Sequence, residues 1–398
     1  ATFINGDQVF VGQSRSTLNN GSVYIYDFSD QNNTIKEEIF PNITGTVKYD
    51  FGHSISVDGN FMVVGAPSIS GDGVGRAFIY KRSQNNKWVL EKEIIPNKNE
   101  WTTDFGSAVA VNGNFILIGD RLARDEDGMV YAIYYNKNIK EWTPISSISA
   151  EKIGSHGMFG HAIDIEENRA LIGSRDGNIA IDYIFDETSL GWVENHTFTP
   201  FKLQSGGRFG YSVALLENKA FIGYPGYNQK GEVHVYSFDE STWSKQQIIT
   251  NDSAEEKSYF GSSVNAKGNH LAVGSFNGEN VNLFGANNGS YVSLQTLSPQ
   301  NFPGSKFGRS LYLDENKLVV GATYGQIAYV YNNNGDQNWK INEVLSSSNR
   351  NESILNSYSP CSVGNLSNYY KKGGLANGKY PCSGIDFYAF VSAEDMGE

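Results

Sequence analysis

The sequence predicts an all-β fold, a seven-bladed β-propeller of four-stranded antiparallel blades followed by a short C-terminal extension. Three observations predict it: a Phe-Gly dipeptide that recurs six times, a second glycine at a fixed distance behind each one, and tight hairpin sequences between the two.

The dipeptides are Phe51-Gly52, Phe105-Gly106, Phe159-Gly160, Phe209-Gly210, Phe260-Gly261 and Phe307-Gly308. Thirteen residues after each of these glycines stands another: Gly65, Gly119, Gly173, Gly223, Gly274 and Gly321, always behind Val or Ile. A seventh copy opens the chain at Val11-Gly12, and its own Phe-Gly is expected just upstream of Ala1. Between the two signatures, short alternating runs flank Asn5-Gly6, Asp58-Gly59, Asn112-Gly113 and Lys267-Gly268. Asn-Gly or Asp-Gly between apolar runs signals a two-residue hairpin, here joining the first and second strands. A third strand follows a further glycine, as at Gly21, Gly75, Gly231 and Gly325, and a fourth opens on Trp88, Trp142, Trp192, Trp243 or Trp339, with Tyr291 in the sixth copy. Four strands in about 47–54 residues make one blade. A lone blade cannot bury both faces, so the copies must pack in a ring. Helical periodicity is absent.

The runs FGHSISVDGNFMVVGAP and FGRSLYLDENKLVVGAT resemble FG-GAP repeats, the blades of integrin α-chain propellers and of many secreted proteins. The resemblance covers about residues 1–345 and implies the propeller, with residues 346–398 as a linker and extension. Integrin-type blades often carry an Asp-rich calcium loop between strands one and two. Two-residue turns stand there in this chain and cannot supply six to eight oxygen ligands, so no metal and no cofactor is expected. Arg124-Asp125-Glu126-Asp127-Gly128 is the one acidic loop resembling a cation site, and a solvated surface loop is the plainer reading.

Composition narrows the chemistry. A net charge of −12 argues against nucleic-acid partners, and no apolar run of 18 residues spans a membrane. Phosphate loops, nucleophile elbows and zinc motifs are missing. His53 and His161 share the position after Phe-Gly, beside Ser107, Tyr211, Ser262 and Arg309 in the other copies, where polar channel lining without chemistry is expected. Cys361 and Cys382 bracket 20 residues of the extension. The extracellular habit of FG-GAP propellers favours a disulfide there, worth roughly 3 kcal/mol, over two free thiols. Eight sequons, at Asn20, Asn32, Asn42, Asn195, Asn251, Asn288, Asn351 and Asn365, are glycosylation sites if the protein is secreted by a eukaryote, or plain surface asparagines otherwise.

The separations between the second glycine and the third-strand glycine are 9, 10, 9, 4, 8, 4 and 4 in blades one to seven. The long loops contribute Arg15, Asp72, Arg121, Arg124, Asp125 and Asp127, and blade five adds Tyr224, Tyr227 and Lys230. Arginine and tyrosine dominate binding hot spots, so this set is the expected ligand surface. The leading expectation is an extracellular or cell-surface adhesion module without enzymatic activity. Its loops would meet a protein or glycan ligand, copies of itself or other surface proteins. The alternatives are a structural subunit of a surface coat, fibre or flagellar hair, and a glycan-active enzyme whose acid/base pair is not visible.

Overall fold

Each Phe-Gly pair folds as the centre of a tight turn. In the computed structural model, which describes residues 1–346 apart from 15–19, 30–34, 44–46, 70–72, 97–102, 150–155, 252–253, 300–303, 334 and 336–337, His53 N donates to Asp50 O at 3.0 Å across Phe51-Gly52. All six glycines of the pairs hold φ between 83° and 90°. That is the third position of a type II turn, where a side chain is strained and glycine is not. The same bond closes the turns at Ser107, Tyr211, Ser262 and Arg309.

These turns are also the joints between blades. A Cβ placed on Gly12, Gly65, Gly119, Gly173, Gly223 or Gly274 would lie 1.9–2.3 Å from the carbonyl oxygen of the Phe-Gly glycine in the next blade. Third-strand glycines press on the same corner, since a Cβ on Gly21, Gly75, Gly128 or Gly231 would meet the carbonyl oxygen of the next Phe-Gly phenylalanine at 2.1–2.2 Å. Backbone therefore touches backbone at each of these joints, and the invariant spacing in the sequence is the spacing this contact needs. Hydroxyls reinforce it: Ser54, Ser212 and Ser263 Oγ donate to Gly106, Gly261 and Gly308 O at 2.7–2.8 Å.

Seven four-stranded antiparallel sheets result, each built from four consecutive strands. The blades occupy residues 2–39, 54–94, 108–144, 159–198, 213–250, 260–297 and 307–346. The six phenylalanines of the dipeptides are all fully buried between blades. Their rings meet third-strand aromatics edge-on, as Phe51 meets Phe78 at 5.3 Å and Phe307 meets Tyr329 at 5.2 Å. At the periphery, Gln247 and Gln295 each clasp the backbone N–H and C=O of the aromatic residue opening the fourth strand of the following blade, Tyr291 and Trp339. Blade one supplies its own innermost strand, Thr2–Asn5, and the ring closes by packing this strand on blade seven. Thr2 Oγ1 bonds Ser310 Oγ, and Tyr26 OH donates to Ser346 O. Residues 347–398, including Cys361, Cys382 and the expected disulfide, lie outside the described residues.

The joints make a sharp prediction. Gly65→Ala drives a methyl into Gly106 O and should cost more than the roughly 1–3 kcal/mol of an ordinary overpacked site. Gly59→Ala, at a hairpin tip with φ 53° and open space around it, should cost only about 1 kcal/mol. Urea unfolding of the two variants checks the ranking, and equal costs would refute the joint.

Candidate functional site

The turn that makes the joint also builds one mouth of the central channel. Each turn presents its first and fourth residues there: Asp50 and His53, Asp104 and Ser107, Met158 and His161, Arg208 and Tyr211, Tyr259 and Ser262, Lys306 and Arg309. Met158, Arg208, Tyr259 and Lys306 all sit at φ 54–63°. This left-handed backbone is unfavourable for residues with a Cβ, and four blades repeat it at one rim position. The residues after the second glycine, among them Arg121, Arg175 and Phe276, end their strands on the same face.

His161 is the centre of the mouth's polar cluster. Arg121 Nη1 lies 3.3 Å from His161 Nδ1, and Arg121 Nε lies 2.7 Å from Asp104 Oδ2, so blades three and four are linked Asp–Arg–His. The Tyr211 ring covers the imidazole at 4.7 Å. Burial first, then the charges of Arg121, Arg175, His53 and Arg208, hold the His161 pKa well below the ordinary imidazole value. His161 is therefore neutral at neutral pH. Because arginine only donates, Nδ1 accepts and the ring proton sits on Nε2. Arg175 is held by Asp176 through two bonds of 3.0 and 2.8 Å. His53 Nδ1 stands 3.9 Å from Asp50 Oδ2. Arg208, Lys306 and Arg309 have no carboxylate in ion-pair range among the described residues. In a chain of net charge −12, one end of the channel thus collects cations. Among the described residues, no group of three or more His, Cys, Asp or Glu side chains gathers to hold a metal ion.

Below the mouth, Asp164 on the innermost strand of blade four accepts the Leu215 N–H of blade five at 2.7 Å. Its carboxylate acts across the channel on Tyr312 of blade seven, which stacks on Phe3 at 3.8 Å. Burial raises the Asp164 pKa to about 7.

The residues expected from loop length to form the ligand surface have the following surroundings. Arg121 turns into the mouth. Arg124 and Asp125 lie in a single helical turn with left-handed φ, and the Asp125 side chain is 96% exposed. Asp127 Oδ1 instead accepts the His156 N–H at 2.9 Å. Tyr224 is fully buried, its OH taking Gln204 N–H and donating to Lys202 O, and Tyr227 stacks on it at 5.1 Å. Lys230 N donates to Tyr227 O. Arg15 and Asp72 lie outside the described residues. Of the arginines around His161, Arg121 was among the residues singled out in the sequence, and Arg175 and Arg208 were not; all three flank the two repeated glycine signatures. Of the sequon asparagines, Asn195 donates to the buried Asp182 at 2.7 Å and Asn20 Oδ1 accepts Tyr49 N–H at 3.2 Å. Asn42, Asn251 and Asn288 are also described, and Asn32, Asn351 and Asn365 are not.

The chain superposes on solved propellers over most of both lengths. A protein from Bacteroides uniformis provisionally named a 6-phosphogluconolactonase matches with a TM-score of 0.61 at 11% identity, over 85% of this chain and 96% of that one. A Bacteroides fragilis protein given the same provisional name matches with a TM-score of 0.60 at 11% identity, over 85% and 94%. The periplasmic gluconolactonase of Pseudomonas aeruginosa matches with a TM-score of 0.58 at 12% identity, over 85% and 95%. At such identities the likeness establishes the fold. No protein-family model matches the chain, and no curated protein matches it in sequence. The FG-GAP resemblance thus stands on the repeat alone, while the seven-bladed propeller is established. These neighbours also correct the functional expectation. Three of these matching propellers are named as lactonases and none as an adhesion protein, and the expectation of an adhesion module without enzymatic activity is corrected on that finding. Among the described residues, no helix is long and apolar enough to cross a membrane.

Asp164 gives a pH signature. Its folded pKa is raised, so its stabilising contribution is full below the unfolded value near 4 and is lost as pH rises through about 7. Asp164→Asn removes that loss. The unfolding free energy of the variant relative to the parent should rise between pH 5 and pH 8, by at least on the order of 1 kcal/mol, read from urea unfolding at the two pH values. A difference that stays flat across that range would place Asp164 in a solvated site.

Proposed function

We propose that this propeller hydrolyses lactones of acidic or phosphorylated sugars at the channel mouth. The observation that carries the reading is the convergence of Arg121, Arg175 and Arg208 on a neutral His161 in an otherwise acidic chain. The lactonase names of the structural neighbours support it. Arginines bind carboxylate and phosphate oxygens through paired N–H donors, and Arg208, which no carboxylate neutralises among the described residues, is the residue best placed to hold the substrate's anion. His161 donates Nε2–H to the lactone carbonyl oxygen as negative charge develops there. His53, beside Asp50, takes a proton from the attacking water. Water adds to the acyl carbon, the bond from that carbon to the ring oxygen breaks, and the proton lost by the water ends on the released hydroxyl.

We also infer that the blades are FG-GAP repeats, on the strength of the Phe-Gly turn and its paired glycines. Export from the cytoplasm is part of the same reading, as with the periplasmic gluconolactonase of the same fold.

The test is a pH-indicator assay with glucono-δ-lactone and 6-phosphoglucono-δ-lactone. Arg208→Ala should raise KM for the phosphorylated lactone by about tenfold or more and leave the neutral one nearly unchanged. His161→Ala should lower kcat by roughly 100-fold, and His161→Gln, which can keep a donor, by less. Lactone consumption no faster than in buffer alone would remove this function.

A further inference from the structure

The joint between blades six and seven repeats the joint between blades three and four with different chemistry. Phe276 follows Gly274 by two residues, as Arg121 follows Gly119. Arg309 follows the Phe-Gly of blade seven, as His161 follows that of blade four. The Arg121–His161 contact is therefore matched by a Phe276–Arg309 contact, the guanidinium carbon 5.8 Å from the ring centre. Tyr259, the first residue of the blade-six turn, stacks on Phe276 at 5.4 Å and 6°. Lys306 Nζ lies 5.6 Å from the Phe276 ring centre and 5.9 Å from that of Tyr324, whose side chain is exposed. Lys306 Nζ bonds the neutral Asn277 Oδ1, and the nearby Glu279 spends its carboxylate on the Gly304 and Lys306 backbone N–H groups and on Ser305 Oγ.

We propose that this aromatic and cationic platform is a second sugar subsite, and that the ligand is an acidic oligosaccharide crossing the channel mouth, a chain of hexuronate units. The inference rests on the reading of the His161 cluster as a site for an acidic sugar, and it names the form that sugar takes. A pyranose ring presents an apolar face of C–H bonds, which a flat aromatic surface covers, while its carboxylate needs a cation at the ring edge. Tyr259, Phe276 and Tyr324 supply the first, and Lys306 and Arg309 the second. Neither cation has an acidic partner among the described residues, so an incoming carboxylate displaces no ion pair. Left-handed φ at Tyr259 (58°) and Lys306 (58°) fixes the platform in place before any ligand arrives. Blades three and four lie across the ring from blades six and seven, so one monosaccharide cannot touch both groups and a short chain can.

Isothermal titration calorimetry with α-1,4-linked trigalacturonate, galacturonate and the neutral trisaccharide maltotriose tests this. The parent protein should bind trigalacturonate at least about tenfold more tightly than galacturonate, and maltotriose weakly. Phe276→Ala and the double variant Lys306→Ala/Arg309→Ala should each erase the gain of trimer over monomer while leaving galacturonate binding and lactone hydrolysis as in the parent and the fold cooperative in thermal melting. Equal affinity for monomer and trimer in the parent, or a gain that survives both variants, would overturn the subsite. Loss of lactone hydrolysis in the parent bears on the His161 reading alone, because the trimer gain is measured without turnover.

Discussion

The close approach of glycine backbone to glycine backbone at the joints between blades is the constraint on which the molecule depends. A carbonyl oxygen of one blade occupies the volume a Cβ would take in its neighbour. Blade spacing is thus set by main-chain contact, and side chains fill what remains. The buried phenylalanine beside each of these corners then has a fixed cavity to occupy, and the hydroxyls of Ser54, Ser212 and Ser263 have a fixed carbonyl to reach. A rigid rim follows from the same contact, because the turn that forms the joint carries the rim residues at its first and last positions.

This arrangement separates structure from chemistry within four residues. Phe and Gly at the turn's centre are committed to packing. The residues on either side face the channel mouth and are free to vary, from Asp and His in blade two to Lys and Arg in blade seven. Function can be revised there without altering the ring. The cost of holding Met158, Arg208, Tyr259 and Lys306 in left-handed backbone, of order 1 kcal/mol each, falls on the same four positions.

The fold was largely legible in the sequence because each blade is local: its four strands are consecutive, and the glycine spacing is a backbone dimension written directly into residue numbers. The site was less legible, since its members come from different blades and meet only when the ring closes. Arg121 and His161 are 40 positions apart and touch because adjacent turns align. Loop length does not tell contact residues from core residues. In blade five, Tyr224 is buried against Phe209 and its hydroxyl is satisfied by backbone, so a residue type common in binding surfaces serves the core there.

At the seam where the ring closes, a Cβ on Gly321 would meet Ser310 Oγ and, at 3.4 Å, Thr2 Cγ2, so blade seven packs on blade one through side chains of the innermost strands. Among the described residues each sheet is formed within one blade. Under mechanical load, neighbouring blades joined by packing part along a face, while each sheet stays whole. Pulling on the two ends of the ring would therefore peel it from the seam one blade at a time, and an extension spectrum of repeated small steps follows from quasi-independent neighbours coupled in series.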